Sequence, residues 1–191
     1  MSSPPVRRYT TTAILLHWLL GICIIGTFAA GLYLEQLPFS PSKIRLINWH
    51  KWAGVSILAL SALRLAWRLT HRPPALPDEI ERAMPKWQMA AYHATHHLMY
   101  VLFFAVPLAG WAYSSAKGFP VVWFGILPLP DLVGKSEALA GTLKAVHLWA
   151  ASALIGLVAL HVAAALKHRF VDRDGLLARM GLGLSRPRLP E

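Results

Sequence analysis

The sequence predicts an all-α protein, a four-helix transmembrane bundle, from its composition and from its four apolar stretches. Hydrophobic residues make up 55% of the 191 residues and charged residues only 15%, whereas a soluble domain typically carries about 25% charged residues. A membrane-spanning helix needs roughly 20 apolar residues, so the chain has room for about four. This composition argues against a soluble or disordered chain, and the single cysteine, Cys23, excludes an internal disulfide.

The apolar stretches predict helices at about residues 13–34, 48–69, 89–113 and 145–168, which form one domain over residues 1–191. Residues 13–34 and 145–166 contain no Asp, Glu, Lys or Arg. The second helix has a weaker signal, because its uncharged stretch lies between Lys51 and Arg64. The first stretch is too long for the apolar core of a signal peptide and lacks a cleavage site, so it is predicted to remain as a helix.

The longest loop, residues 114–142, is apolar but contains several glycines and prolines. These residues break regular structure, so its GFPVVWFGILPLP segment is not a membrane span. We expect this segment to lie as a lid over the outer end of the bundle.

Basic residues predict the orientation, because Lys and Arg gather on cytoplasmic loops. With a cytoplasmic N-terminus the inner side carries 13 of them: Arg7, Arg8, Arg64, Arg68, Arg72, Arg82, Lys86, Lys167, Arg169, Arg173, Arg179, Arg186 and Arg188. The outer side carries six: Lys43, Arg45, Lys51, Lys117, Lys135 and Lys144. Both termini are therefore predicted to be cytoplasmic. This topology also explains the net charge of +10 without nucleic-acid binding, since no basic stripe with interleaved aromatic residues is present.

Four of the nine histidines form two pairs at different predicted depths. His147 and His161 are 14 residues apart, which places them on one face of the last helix, roughly 21 Å apart along its axis. His17 lies near the inner end of the first helix, as His161 does in the last, and His50 opens the second helix at the outer end, as His147 does. Imidazole pairs that face each other across a bundle suit bis-histidine haem ligation. Because the sequence has no C-x-x-C-H motif, we expect two b-type haems.

Other interpretations of these histidines remain open. A single histidine in a span often only forms a hydrogen bond between helices. Four histidines also suit zinc or copper, but one ion cannot bridge both depths. A proton relay is typical of spans that contain Asp or Glu, and these spans contain none.

Further candidate residues surround the two pairs. Gly54 follows His50 by one helical turn and either makes room for a flat ring or packs against a neighbouring helix. Arg64 shares the face of His50 near the inner level, where it either pairs with a haem propionate or a quinone oxygen, or extends to the membrane surface. Three more histidines lie near the inner end of the third helix, and the sequence does not decide which one faces the inner haem: His93, His96 and His97.

The sequence resembles the bacterial cytochrome b561 family from about Tyr9 to Leu177. The matching segments are LLHW, HKWAG, HATHHLMYVLFFAVPLAGW, the loop K-G-F-P…W-F-G-I-L-P, and KAVHLWAASALIGLVALHVAAALKHRF. The spacing of the two histidines in the last segment, with its A-A-A-L-x-H continuation, is the most specific of these features.

The resemblance implies a multi-pass protein of the bacterial inner membrane with two b haems. His17 and His161 would ligate the inner haem, and His50 and His147 the outer one. Some members of the family oxidise superoxide at the periplasmic face and pass the electrons through the haems to ubiquinone. In such an enzyme Lys117 would help to attract superoxide, and His96 and His168 would lie near the quinone.

The expected function is therefore superoxide:ubiquinone oxidoreductase, with the lipid bilayer, superoxide and ubiquinone as partners. The alternative is a cytochrome b subunit that docks a larger redox protein of the hydrogenase or dehydrogenase type. The haem ligands are similar in both, so the histidines do not distinguish the two functions.

Overall fold

The structure, a computed structural model, describes residues 8–182. Arg7, Arg186 and Arg188, which contribute to the predicted charge asymmetry, lie outside the described residues. The helices are α1 (Thr11–Gln36), α2 (Pro41–Thr70), α3 (Asp78–Ala83), α4 (Lys86–Ala116) and α5 (Glu137–Lys167), and β1 (Val122–Trp123) and β2 (Leu127–Pro128) form a small hairpin. Four of these helices, all except the short α3, are long and apolar enough to cross a membrane. The predicted four-helix transmembrane bundle is confirmed.

All four long helices extend beyond the apolar stretches that predict them. The largest differences are at α2, which begins at Pro41 instead of about residue 48, and at α5, which begins at Glu137 instead of about residue 145. Ser40 caps α2 by accepting a hydrogen bond from the Lys43 N–H at 3.2 Å, and Ser136 caps α5 in the same way. A capping hydroxyl stabilises the first turn of a helix whether or not that turn is apolar, so these helices begin outside the apolar stretches.

The four long helices pack as two pairs that share a common core. α1 packs along α2, α4 packs along α5, and α2 joins the pairs through its contact with α4. The central core contains Leu20, Ile24, Ile57, Met99, Phe103 and Leu154. By contrast, α5 has little contact with α1 and hardly any with α2 within the described residues. The bundle is therefore most open between α5 and the first helix pair.

The lid predicted from the loop sequence is a hairpin fastened to α2. Its strands are antiparallel, with Trp123 opposite Leu127, and its turn places Gly125 at φ 74°, a conformation that glycine adopts readily. The Trp52 indole donates a hydrogen bond to the Val122 carbonyl at 2.6 Å, and the Trp123 indole donates one to Ser56 Oγ at 3.2 Å. The lid is thus held against the outer end of α2.

The C-terminal end of the described chain is tied to its beginning. After α5 the chain forms a π-helical turn (His168–Asp172) and a 3-10 turn (Leu176–Met180). Arg179 is buried and donates hydrogen bonds to the carbonyls of Pro74 and Ala75 in the loop after α2. The Tyr9 N–H donates to the Arg179 carbonyl at 3.2 Å. These contacts close the bundle end that carries His17 and His161, which we call the inner end.

Candidate functional site

The structure brings together both predicted histidine pairs. At the outer end the ring centres of His50, on α2, and His147, on α5, lie 6.2 Å apart with their planes at 81°. At the inner end the ring centres of His17, on α1, and His161, on α5, lie 6.1 Å apart at 69°. Two imidazoles on opposite sides of one metal ion, each bonded at about 2 Å, have ring centres roughly 6 Å apart. Both separations therefore fit ligation of a single ion between the rings.

The outer histidines present ring nitrogens in a form that suits a metal. His147 Nδ1 lies 2.9 Å from the Val106 carbonyl oxygen, which only accepts, so Nδ1 carries the proton and Nε2 keeps its lone pair. His50 Nδ1 is buried and meets no partner in hydrogen-bond geometry among the described residues, although the Thr27 backbone lies close to the ring. Leaving a buried polar atom unpaired costs free energy, so this ring is also suited to a bound group.

Two glycines allow the outer rings to occupy these positions. A Cβ at Gly31 would lie 3.2 Å from His50 Cε1, and a Cβ at Gly110 would lie 2.9 Å from His147 Cε1. Sequence reasoning missed both glycines, although a glycine inside a helix is itself a signal because it costs about 1 kcal/mol relative to alanine. A Cβ at Gly54 would meet no atom within 4 Å. No atom of the described residues therefore fills the space at Gly54, and its role in making room for a flat ring stays a prediction.

A third histidine lies against the inner pair. The ring centres of His96 and His161 are 5.3 Å apart, with perpendicular planes at 89°. His96 Nδ1 donates to the Tyr92 carbonyl at 2.7 Å, which leaves its Nε2 as an acceptor. Among the three histidines that the sequence left undecided, His96 is the one that contacts the inner pair.

The Arg64 side chain contacts Tyr100 near the inner histidine pair. Its Nε donates a hydrogen bond to the Tyr100 hydroxyl at 3.3 Å, and its guanidinium is close enough to His17 and His161 to act on both rings electrostatically. Arg68, one turn further along α2, lies over the Tyr100 ring at 5.6 Å. Sequence reasoning missed Tyr100 and Arg68; the four-residue spacing of the two arginines was the available signal.

His168 lies in a small charged network after α5. Its Nδ1 is 2.5 Å from an Asp174 carboxylate oxygen and 3.1 Å from one of Asp172. Lys167 pairs with Asp172 at 2.6 Å. The described partners of His168 are therefore acidic side chains of its own C-terminal turn.

Lys117 forms an ion pair at the outer end of α4. Its Nζ lies 2.7 Å from a carboxylate oxygen of Glu137, and this carboxylate raises the pKa of Lys117. Lys144 forms a similar pair with Glu35 at 3.0 Å. Two of the six outer basic residues thus have acidic partners, which the sequence did not predict because the members of each pair are far apart along the chain.

Four membrane-length helices that hold imidazole pairs at two depths define a membrane cytochrome. The family model for prokaryotic cytochrome b561 matches residues 8–183. Cytochrome b561 homolog 2 of Escherichia coli K12 is 32% identical over 176 residues, 91% of each chain. The probable superoxide oxidase CybB of Yersinia pestis is 30% identical over 91% of this chain and 96% of its own. Cytochrome b561 homolog 1 of Escherichia coli K12 is 30% identical over 92% and 97% of the two chains.

The chain belongs to the prokaryotic cytochrome b561 family, and the resemblance seen in its sequence is confirmed. It is a multi-pass membrane protein of a family that binds b-type haem and transfers electrons.

Proposed function

We propose that the protein is a di-haem cytochrome of the bacterial inner membrane that oxidises superoxide on the periplasmic side and reduces ubiquinone. The observation that carries the proposal is the equal spacing of two histidine pairs, 6.1 and 6.2 Å between ring centres, at opposite ends of one bundle. Superoxide as the donor is supported by the similarity to a probable superoxide oxidase.

In this proposal His50 and His147 hold the outer haem, and His17 and His161 hold the inner one. When bound, each haem supplies a one-electron couple with no open coordination position, which suits electron transfer more than oxygen binding. The Val106 carbonyl holds the proton on His147 Nδ1, so Nε2 is the nitrogen that would bind the haem iron. The open side between α5 and the first helix pair would admit the flat rings, and the apolar core around Phe103 would keep water out of the space between them.

The inner residues serve the acceptor side of the reaction. Two superoxide ions, one ubiquinone and two protons give two dioxygen molecules and one ubiquinol. The Arg64 guanidinium stabilises negative charge on a reduced quinone oxygen, and His96 Nε2 accepts a hydrogen bond from the quinol hydroxyl. Asp174 holds His168 Nδ1, which leaves His168 Nε2 to exchange protons with the cytoplasm.

The proposed direction requires both termini to be cytoplasmic, so the topology has its own test. Alkaline phosphatase is active only in the periplasm, and we expect its fusion to the C-terminus to be inactive. A fusion after Phe39, in the outer loop between α1 and α2, is the positive control. An active C-terminal fusion would exchange the donor and acceptor sides.

The activity is tested on the purified protein. We expect a pyridine haemochrome assay to give two b haems per chain, superoxide to reduce them, and added ubiquinone to reoxidise them. Superoxide dismutase, which removes the donor, should abolish the reduction. One haem per chain would contradict the di-haem proposal. Haems insensitive to superoxide, in a protein that copurifies with a larger redox partner, would favour the docking-subunit alternative.

A further inference from the structure

Three side chains of metal-binding types converge in the turn that follows α5. His168 Nδ1 lies 2.5 Å from a carboxylate oxygen of Asp174 and 3.1 Å from one of Asp172. The ligand atoms of the three residues all lie within 4.8 Å of one another, and among the described residues this is the one such group of three His, Cys, Asp or Glu side chains. The cluster begins seven residues after His161, so it lies beyond the inner histidine pair.

The backbone of this turn brings the two carboxylates to the same imidazole. Residues His168–Asp172 form a π-helical turn, and Arg173 then adopts a left-handed conformation with φ 53°. The Leu176 N–H donates a hydrogen bond to Asp174 Oδ1 at 3.0 Å. The other oxygen of this carboxylate is therefore the one that faces His168.

Hydrogen bonds within the cluster do not satisfy all three groups. The Nδ1 atom of His168 carries at most one proton, so it forms one good hydrogen bond, although oxygens of two carboxylates face it. Two carboxylates held this close also repel each other. The side chains of His168 and Asp174 are only 16% and 13% exposed, so water screens the repulsion poorly. A divalent cation in place of the proton would contact all three groups and neutralise both carboxylates.

We propose that His168, Asp172 and Asp174 form a binding site for a divalent transition-metal ion such as Zn²⁺. Zinc binds imidazole nitrogen and carboxylate oxygen at about 2.0–2.2 Å, and the imidazole favours zinc over magnesium or calcium, which prefer oxygen ligands. The ion takes the place of the His168 Nδ1 proton, which is released to water. Water completes the coordination on the side of Asp172, whose side chain is 30% exposed.

Lys167 already places a monovalent cation beside one of these carboxylates. Its Nζ lies 2.9 and 2.6 Å from the two oxygens of Asp172, and its side chain is 54% exposed. An exposed ion pair is weak because water competes with it, so a divalent ion displaces this ammonium group readily. Lys167 is therefore a competitor of the metal ion and not one of its ligands.

A bound ion would also act on proton exchange at His168. With the ion on Nδ1, the neutral ring keeps its one proton on Nε2 and has no nitrogen free to accept another. Zinc should then slow the reoxidation of the haems by ubiquinone and leave their reduction by superoxide unchanged. This consequence rests on the proposed function, whereas the metal site does not.

The competing interpretation is that the cluster only fastens the end of α5. Asp172→Asn and Lys167→Gln break the same ion pair, so fastening alone predicts no zinc site in wild type or in either variant. A metal site predicts zinc binding with opposite changes of affinity. The first variant weakens a ligand, and the second removes the cation that competes with zinc.

The experiment is equilibrium dialysis of the purified haem-loaded protein against zinc, with the bound metal measured by atomic absorption. We expect one zinc per chain in wild type. Loss of a group that supports a metal ligand typically costs 10–100-fold in affinity, so Asp172→Asn and Asp174→Asn should bind at least about tenfold more weakly. Lys167→Gln should bind severalfold more tightly. Asp78→Asn is the matched control, because Asp78 is 82% exposed and pairs with Arg82 at 3.8 Å outside the cluster.

A second control concerns the other histidines of the inner end. His93 and His97 are exposed and lie one turn apart on α4, a spacing at which two imidazoles share a helix face. We expect His97→Gln to retain the zinc. Loss of the zinc in His97→Gln but not in Asp174→Asn would overturn the proposal, as would unchanged affinity in Lys167→Gln or no zinc bound to wild type.

Failure of the proposed function gives a different pattern. If zinc affinities follow the expected order and zinc leaves reoxidation by ubiquinone unchanged, the metal site stands and the proposed proton exchange at His168 is wrong. Thermal unfolding of each variant, followed by circular dichroism, identifies one that fails to fold. The gain of affinity in Lys167→Gln still tests the metal site if an aspartate variant is lost in this way.

Discussion

The outer and inner histidine pairs have nearly equal ring separations but different surroundings. At the outer pair, Gly31 and Gly110 provide room for the rings, and the Val106 carbonyl orients His147. At the inner pair, the His96 imidazole and the Arg64 guanidinium lie close to the rings, and Arg64 donates a hydrogen bond to the Tyr100 hydroxyl. The position of the outer pair is limited by volume, whereas the inner pair lies in a charged, hydrogen-bonding environment.

In the proposed function, this difference gives the two histidine pairs different roles. Glycines beside the outer pair leave space for a flat group, but they supply no functional side chain of their own. A site with a permanent positive charge and ring nitrogens stabilises negative charge and handles protons, as reduction of a quinone requires. Substitutions that add volume should therefore act at the outer pair, and substitutions that remove charge should act at the inner pair.

The largest expected effect is the loss of a haem when a histidine is removed. We expect His50→Ala and His147→Ala to lose the same spectral component, and His17→Ala and His161→Ala to lose the other. The reason is that the two rings of each pair lie about 6 Å apart at the same end of the bundle. Low-temperature absorption spectra and haem content measure this. A common component lost in His50→Ala and His161→Ala would show that the pairing is wrong even if all four residues are ligands.

Added volume beside the outer rings should have the next largest effect. Gly110→Ala places a methyl group 2.9 Å from His147 Cε1, and overpacking of this kind costs roughly 1–3 kcal/mol. We expect about tenfold weaker retention of the outer haem, and a smaller loss in Gly31→Ala, where the contact is 3.2 Å. Gly156→Ala is the control, since a Cβ there meets nothing within 4 Å. A loss of the inner haem in Gly110→Ala would contradict the assignment of this glycine to the outer pair.

Gly54 tests whether the open space beside His50 holds a cofactor. Gly54→Leu meets no protein atom near its Cβ, so the protein without haem should unfold at the same temperature as wild type. We expect outer-haem occupancy to fall severalfold, because the leucine occupies the space of the ring. Unchanged haem content would show that this glycine faces lipid instead.

The smallest expected effect is a shift of redox potential at the inner pair. A unit charge about 10 Å away at an effective dielectric of 20 contributes about 1.7 kcal/mol, so Arg64→Gln should lower the inner midpoint potential by about 70 mV. Tyr100→Phe, which removes only the hydrogen bond, should shift it less. Potentiometric titration measures both, with the outer haem as an internal reference. Equal shifts of the two haems would contradict a local role for Arg64.

The sequence alone was enough to predict the features that depend on a single helix. The positions of His147 and His161 follow from the period of a single helix, and their matching to His17 and His50 follows from depth in the membrane. The early starts of α2 and α5 were also present in the sequence, as the caps Ser40 and Ser136, but the apolar stretches alone do not include them.

Features that depend on how two helices align were not accessible in this way. Gly110 meets His147 because of the relative rotation of α4 and α5, and Lys117 meets Glu137 because of the shape of the loop between them. Neither relation leaves a periodic signal in the chain. The orientation of the termini and the roles of individual site residues stay predictions.

The shared use of α5 has a consequence for biosynthesis. α5 carries one member of each histidine pair, His147 and His161, and it is the last membrane-length helix of the described chain to leave the ribosome. With the proposed ligands, neither cofactor site exists until this helix has inserted beside the other three. Haem loading is then a late event, and a nascent chain that stalls before residue 147 exposes no complete site to free haem. The contacts of Arg179 with the Tyr9 backbone and the loop after α2 form later still, so the bundle is closed by a segment that is made after all four long helices.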